Sequence, residues 1–491
     1  MPRIYSYYIV LVLLCLSGKA YGQLSGHLLK SYGEDGIATL ELPTDEEAQI
    51  VGLAALKDGR NMVMAEVKQG GETWTLISRQ YPFGQLDEDF GLGGWLWLDE
   101  FNQASEILAL PDGGCLIWGQ GKGSDDFDLM MVKLTSSGNV DANFGSEGKV
   151  LLDFNTNEYP RDIQVLPDGR IRCIGECYNW VIQSAELLVA GLMPDGTMDP
   201  TFGFGGTRRI KINGALRWTD LKVKSPENLW ISGIAREKQK EAPMVVCLDE
   251  NGLADYRFAE KGIWVGQTGF DRIHRLQLDF DQKNIWLAAS TKTLVDPQYD
   301  YDVFRLSKDG RQDTILRNAY SGQYGHDILE AFWIQDDEKL CIAGRSGRMA
   351  EVVRMLPNGT LDKGYGAQGR CLLPVGNRRL ILDRTQEGNI VVWGQNQQEV
   401  SGVRIQGDPE LEAYKDKLAA PVEVNLDFPF ISVALSKQAG IWEVEFNHAT
   451  WQFAWGHAQL IHCFQEGRFV ASRQLSNQKQ VASEGVYRLG E

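Results

Sequence analysis

Residues 86–94 read LDEDFGLGG, residues 140–148 VDANFGSEG and residues 198–206 MDPTFGFGG. A phrase of acid, aromatic and glycines that returns at a fixed interval constrains the fold more than any other feature, because it means that one supersecondary unit is built again and again. Its aromatic recurs as Phe90, Phe144, Phe202, Phe258 and Tyr365, with Tyr32 in LKSYGEDGI, at steps of 58, 54, 58 and 56 residues and one double step of 107. The double step hides a degenerate copy in GRQDTILRNAYSG at 310–322, and a weak eighth copy centres on Tyr414.

A second phrase interleaves with the first: ALKDGRNMVMA (55–65), ALPDGGCLIWG (109–119), VLPDGRIRCIG (165–175), IQDDEKLCIAG (334–344) and RTQEGNIVVWG (384–394). Each is a β-rich run, a two-residue turn of Asp-Gly type and another β-rich run, which is a hairpin. A third run follows, as in DVFRLSKDG (302–310) and EVVRMLPNGTLD (351–362), and a fourth comes after the glycines, as in KVLLDF (149–154). Four short antiparallel strands, here A to D, in a unit of about 55 residues predict an all-β fold, a single β-propeller of four-stranded blades. A β-solenoid fits less well, since its repeats are shorter and need no hairpin in each unit.

Counting third strands, near 75, 130, 188, 245, 303, 353, 403 and 487, predicts eight blades, with seven as the alternative. The chain ends in GVYRLGE (485–491), a third-strand pattern with no fourth, whereas LKSYGEDGIATLEL near the start is a fourth without a third. The two are expected to pair and close the ring. About 70 residues separate Tyr414 from that last strand, and hairpin patterns at 431–446 and 460–475 compete for one place, so an inserted hairpin is expected within 427–475. The propeller is accordingly assigned to residues 23–491.

The opening phrase then has an architectural role. Its Asp is expected to cap the C–D turn through the backbone, its glycines to allow left-handed φ, and its aromatic to fill the wedge between blades. The combination DxxFGxxG, PDGxxxxxG and xxxRLxxDGxxD resembles the delta-60 repeat, a family of presumed propeller repeats in exported bacterial proteins. Units two to four and seven match it well; Phe258 is followed by Ala259 instead of Gly, and the sixth phrase lacks its aromatic–Gly pair. The resemblance implies a propeller and export, and brings with it no catalytic residue.

Residues 1–22 are expected to be a signal peptide cleaved before Gln23: Arg3 precedes an apolar run, Ile4 to Leu16, and Ala20 and Gly22 are small. No later run is apolar for long enough to span a membrane, so the mature chain is predicted to be periplasmic or extracellular. Without Arg3 and Lys19, 47 basic residues remain against 66 acidic, a balance of −19 that repels nucleic acid. The seven remaining cysteines read as small buried hydrophobes, with Cys173–Cys177 the one local disulfide to test.

With the A–B and C–D turns on one end of the blades, the B–C and D–A loops gather on the other. Those loops differ from unit to unit, so a protein or glycan partner is expected there. Candidate contacts are Tyr178, Trp180, Trp218, Phe270, Tyr299, Tyr324, His326 and Arg378, because exposed aromatics stack on sugars or anchor partners. No acid and base pair can be assigned, so a non-catalytic binding scaffold is preferred to a propeller enzyme acting on a glycan or other polymer. No cofactor or metal is predicted. Asp125, Asp126 and Asp128, and Asp296, Asp300 and Asp302, read as solvated acidic turns rather than a calcium loop, and His448, His457 and His462 lack zinc-ligand spacing.

Overall fold

A computed structural model describes residues 25–407 apart from 123–126, 155, 180, 182–183, 226–227, 268, 294–297, 311, 321–324, 336 and 387, and beyond 407 the backbone of seven strands. Residues 1–22, Trp180, Tyr324, Tyr414 and the side chains of His448, His457 and His462 lie outside what is described. The described residues contain no helix, and hence none long and apolar enough to cross a membrane.

The strands of Gln23–Asp408 form seven four-stranded antiparallel sheets. The first comprises β2 (Glu47–Ala55), β3 (Asn61–Gln69), β4 (Glu72–Gln80) and β5 (Trp95–Leu98), and the second β6 (Phe101–Ala109), β7 (Cys115–Gly121), β8 (Leu129–Leu134) and β9 (Lys149–Leu152). The third holds β10 (Tyr159–Val165), β11 (Ile171–Asn179), β12 (Ser184–Leu192) and β13 (Thr207–Ile210), and the fourth β14 (Ala215–Ser225), β15 (Asn228–Glu237), β16 (Lys240–Asp249) and β17 (Ile263–Val265). Next come β18 (Arg272–Phe280), β19 (Asn284–Lys292), β20 (Asp300–Ser307) and β21 (Gln312–Tyr320), then β22 (Asp327–Ile334), β23 (Leu340–Ser346), β24 (Met349–Met355) and β25 (Arg370–Leu373). The seventh sheet takes β26 (Arg379–Arg384), β27 (Ile390–Asn396) and β28 (Glu399–Ile405) from its own repeat and its outer strand, β1 (Ile37–Leu40), from the N-terminal end.

Seven blades, not eight, is therefore the count. The expected partner of the N-terminal strand was also misplaced: Ile37 pairs with Val403 and Leu40 with Val400, on β28, not with GVYRLGE. The physical reason is that β28 already offers the unpaired third-strand edge that β1 needs. Across the same junction Gln395 takes the Ile50 N–H at 2.9 Å and gives a bond to the Ala48 carbonyl at 2.8 Å, so the seventh sheet packs on the first.

Pro409–Glu491 belong to a second unit, which holds a four-stranded sheet of β29 (Leu426–Phe428), β30 (Ile431–Gln438), β31 (Ile441–Phe446) and β32 (Ala449–Ala454). It also holds a three-stranded sheet of β33 (Ala458–Gln465), β34 (Arg468–Leu475) and β35 (Tyr487–Arg488). Both hairpin patterns of this stretch are real, and the C-terminal strand pairs with β34.

The repeated phrase acts as the interlock between sheets. Phe90, Phe144, Phe202, Phe258, Tyr32 and Tyr365 are all buried. Phe90 joins side chains of the first two sheets in one apolar cluster, and Phe202 does so for the third and fourth. Each Asp of the phrase takes a backbone N–H two residues on, as Asp199 does from Thr201 at 3.0 Å. The same Asp199 binds Arg172 at 2.8 Å, whose guanidinium lies 4.7 Å from the Phe202 ring centre. Gly252, in the C–D turn of the following sheet, adopts φ +73° and sits so close that a Cβ there would meet the Phe202 ring at 2.8 Å. Acid, aromatic and glycine therefore recur together because a junction such as that at Phe202 uses all three, whereas the sixth copy sets Leu316 against Gly359 in place of a ring.

The cysteines Cys115, Cys173, Cys177, Cys247, Cys341 and Cys371 are buried free thiols, so Cys173 and Cys177 form no bridge. Burial pushes the Cys173 thiol up to about 12.

Candidate functional site

The innermost strands β2, β6, β10, β14, β18, β22 and β26 follow one another around the axis, and their register decides which side chains meet. Counted back from the A–B turns, where Ala109 pairs Cys115, Val165 pairs Ile171 and Val223 pairs Leu229, the residues Glu106, Asp162 and Asp220 stand at one level. Three neighbouring blades thus bring three carboxyls together, with Asp162 hydrogen-bonded to both of the others.

Carboxyls in such contact cannot all be ionised. Burial, then the Glu106 charge, pushes Asp162 up to about 7, and burial pushes Glu106 up to about 7. Asp220 is raised well above the ordinary range, by burial first, against the pull of Lys222. The Lys222 ammonium stands 3.7 Å from Asp220 and is held protonated, chiefly by Asp220, with Asp162, Asp279 and Glu106 adding to it.

These carboxylates also stitch the blades. Asp162 accepts the Leu221 N–H at 2.5 Å, Asp220 that of Leu278 at 2.8 Å, Asp279 that of Ile334 at 2.8 Å and Asp383 that of Ala55 at 2.7 Å. Each bond crosses to the next inner strand, which is the edge of its own sheet and so has backbone N–H groups outside the ladder.

Toward the loop face the sign of the charge reverses. A cavity of about 270 Å³ opens there, lined by Leu216, Arg217, Glu241, Arg272, His274 and Tyr299. Arg217 donates to the carbonyls of Ile273 at 2.9 Å and His274 at 2.8 Å, which fixes it across the fourth and fifth sheets. Burial lowers its pKa, and so does the nearby Arg161 charge; Arg272 adds to the crowding. His274 is pushed down by burial and then by Arg275, Arg217 and Arg345. Glu241 is the main counter-charge: it takes the Ile273 N–H at 2.6 Å and pairs with Arg236 at 2.7 Å and Arg272 at 3.5 Å. Glu330 binds Arg275 at 3.1 Å and Arg345 at 3.0 Å.

Of the side chains expected on this face, Tyr299 lines the cavity, with its ring 5.6 Å from that of His274 and 5.6 Å from that of His326. His326 Nδ1 accepts the Tyr299 N–H at 3.1 Å. Arg378 is exposed, and its carbonyl receives Arg345 at 3.4 Å. Trp218 and Phe270 are core residues: the Trp218 indole N–H is spent on the Ala185 carbonyl at 3.1 Å, and Phe270 packs edge-on to Phe304. Tyr178 packs on the apolar cluster of the third and fourth sheets. Asp128, Asp300 and Asp302, read from sequence as parts of solvated turns, are buried, and Thr291 donates to Asp302 at 2.7 Å.

Sequence reading overlooked Glu106, Asp162, Asp220 and Lys222, together with Arg217, Arg272 and His274. One signal was present. Glu106 and Asp162 each stand six residues before the Asp of their PDG turn, which puts those two in one register on the inner strand; Asp220 has no PDG turn to count from. The basic residues carry no such periodicity and are assembled by bulges and loop geometry.

No family model matches the chain, and no curated protein resembles it in sequence. Among solved structures it is similar to the acylaminoacyl peptidase of Pyrococcus horikoshii, at 10% identity and a TM-score of 0.40, covering 81% of this chain and 57% of the peptidase. The chain thus matches little more than half of that enzyme's length. The β-propeller domain of the Trilobed protease from Pyrococcus furiosus matches at 7% identity, a TM-score of 0.40, and 83% and 96% of the two chains. The polysaccharide lyase Uly1 matches at 10% identity, a TM-score of 0.44, and 76% and 91% of the two chains.

Proposed function

We infer that this chain is an exported binding propeller of delta-60 type whose loop face takes an anionic ligand, with an acidic glycan chain as the ligand class. The observation that carries the reading is the cavity-lining pair Arg217 and Arg272, with the Arg161 charge acting on Arg217 and those of Arg275 and Arg345 on His274, in a chain whose formal charge is −17. Like charges held together in a concave, partly desolvated site lower one another's pKa, and a bound carboxylate or sulfate relieves that repulsion. Tyr299 supplies a ring for sugar stacking at the same place.

The test is titration with polygalacturonate, chondroitin sulfate and neutral dextran at low and high salt. Binding confined to the acidic polymers, weakened by salt and lost in Arg217→Ala and Arg272→Ala, supports the reading. Equal binding of dextran, or binding indifferent to both substitutions, overturns it.

One observation favours a catalytic reading. Glu106 and Asp162 sit near 7 beside a protonated Lys222, the pattern that acid and base pairs require. Against it, Asp162 and Asp220 already spend an oxygen each on backbone N–H groups. Release of reducing ends from any of these polymers, abolished by Glu106→Gln, would establish the enzyme.

A further inference from the structure

Between the second and third sheets, on the loop face, three acids converge from three strand ends. Asp128 directly precedes β8, Asp153 directly follows β9 and Glu158 directly precedes β10. One carboxylate oxygen from each lies within 4.8 Å of the others. Asp128 is 1% exposed and Glu158 is fully buried, while Asp153 reaches solvent.

What distinguishes this group from an ordinary acidic turn is its unspent oxygens. Asp128 Oδ1 and Glu158 Oε2 are buried without a hydrogen-bond partner, and neither residue has an ion pair among the described residues. The remaining Glu158 oxygen, Oε1, accepts the Thr156 N–H at 2.9 Å, which orients the carboxylate. The backbone is fixed as well, since the Glu158 N–H donates to the Phe127 carbonyl at 2.6 Å and the Gly121 N–H to the Asp128 carbonyl at 2.9 Å. A buried carboxylate oxygen without a partner is costly, and two carboxylates side by side add their repulsion. Among the other buried acids named above, Asp162, Asp220, Asp279 and Asp383 each meet a backbone N–H and Asp302 meets the Thr291 hydroxyl.

We propose that Asp128, Asp153 and Glu158 form a calcium site that ties the start of β8 to the end of β9 and the start of β10. The donor set is all oxygen, which selects a hard cation over zinc or copper. Calcium tolerates the irregular, partly solvated geometry of three carboxylates completed by carbonyls and water, whereas magnesium demands a near-ideal octahedron. The site is separate from the arginine-lined cavity, and it stands whether or not that cavity binds a glycan.

The experiment is calcium titration of chelator-treated protein by calorimetry, with melting curves in chelator and in about 1 mM calcium, a concentration suited to extracellular calcium modules. One ion per chain at this site and a calcium-dependent rise in Tm are expected. Asp128→Asn and Glu158→Gln should abolish the rise, yet melt at or above wild type in chelator, because each removes a buried like charge. A merely structural role would lower Tm in both conditions. Asp153→Asn, at an exposed position, folds regardless and should weaken affinity on the order of tenfold. Absence of calcium binding at about 10 mM, an equal response to magnesium, or affinity unchanged in all three variants would overturn the proposal.

Discussion

Neutralising the inner carboxyl pair, by Glu106→Gln together with Asp162→Asn, should remove most of a pH dependence that the wild-type fold carries. Both groups lie near 7 in the fold, where a solvated carboxyl lies near 4. Between those values the native pair keeps a proton that the unfolded chain has released, so proton binding favours the native state and stability falls as pH rises. Each step of one in pKa is worth about 1.4 kcal/mol, so moving Glu106 from 4.5 to about 7 corresponds to about 3 kcal/mol. Because Glu106 and Asp162 share their proton, that figure is counted once for the pair, and the water-accessible edge of Glu106 makes it an upper value. Urea unfolding followed by tryptophan fluorescence at about pH 5 and about pH 8 measures the difference. Wild type should lose on the order of 2–3 kcal/mol between them, and the double variant much less. A flat wild-type profile, or a double variant with the wild-type slope, would refute the shared-proton account.

Phe202→Ala should destabilise the propeller by about 3–5 kcal/mol, since the ring is fully buried between two sheets and under Arg172; unchanged urea midpoints would deny its role as a plug. Ala259 replaces the glycine of the phrase and adopts φ +43°, so Ala259→Gly should stabilise by about 1 kcal/mol, and a loss of stability would show the methyl to be needed. Removing residues 409–491 should leave a folded unit with a cooperative melt, because all seven sheets are complete without them; removing 23–42 should expose β28 and cause aggregation, measured by light scattering.

The sequence by itself determined the unit. Asp199, Phe202 and Gly203, with their counterparts in other repeats, announce a C–D turn and a plug through local chemistry, because the Asx cap and left-handed glycine act within a few residues. The hairpin turns set strand order inside each blade for the same reason. Blade number was not local. It depended on which third-strand edge β1 would find, and Glu399–Ile405 and GVYRLGE look alike as strings, while pairing is decided in space. Function followed the same division. The loop face could be chosen from loop variability, but Trp218 and Phe270 look exposed in sequence only because nothing there shows how a blade folds back over them. The meeting of Glu106, Asp162 and Asp220 from three strands, the placing of Arg217 and Arg272 at one cavity, and the trio of Asp128, Asp153 and Glu158 are all products of sheet packing on sheet. Residues 56 to 58 apart, such as Glu106, Asp162 and Asp220, become neighbours only when sheets pack face to face, and burial there alters charges that each strand alone would leave ordinary.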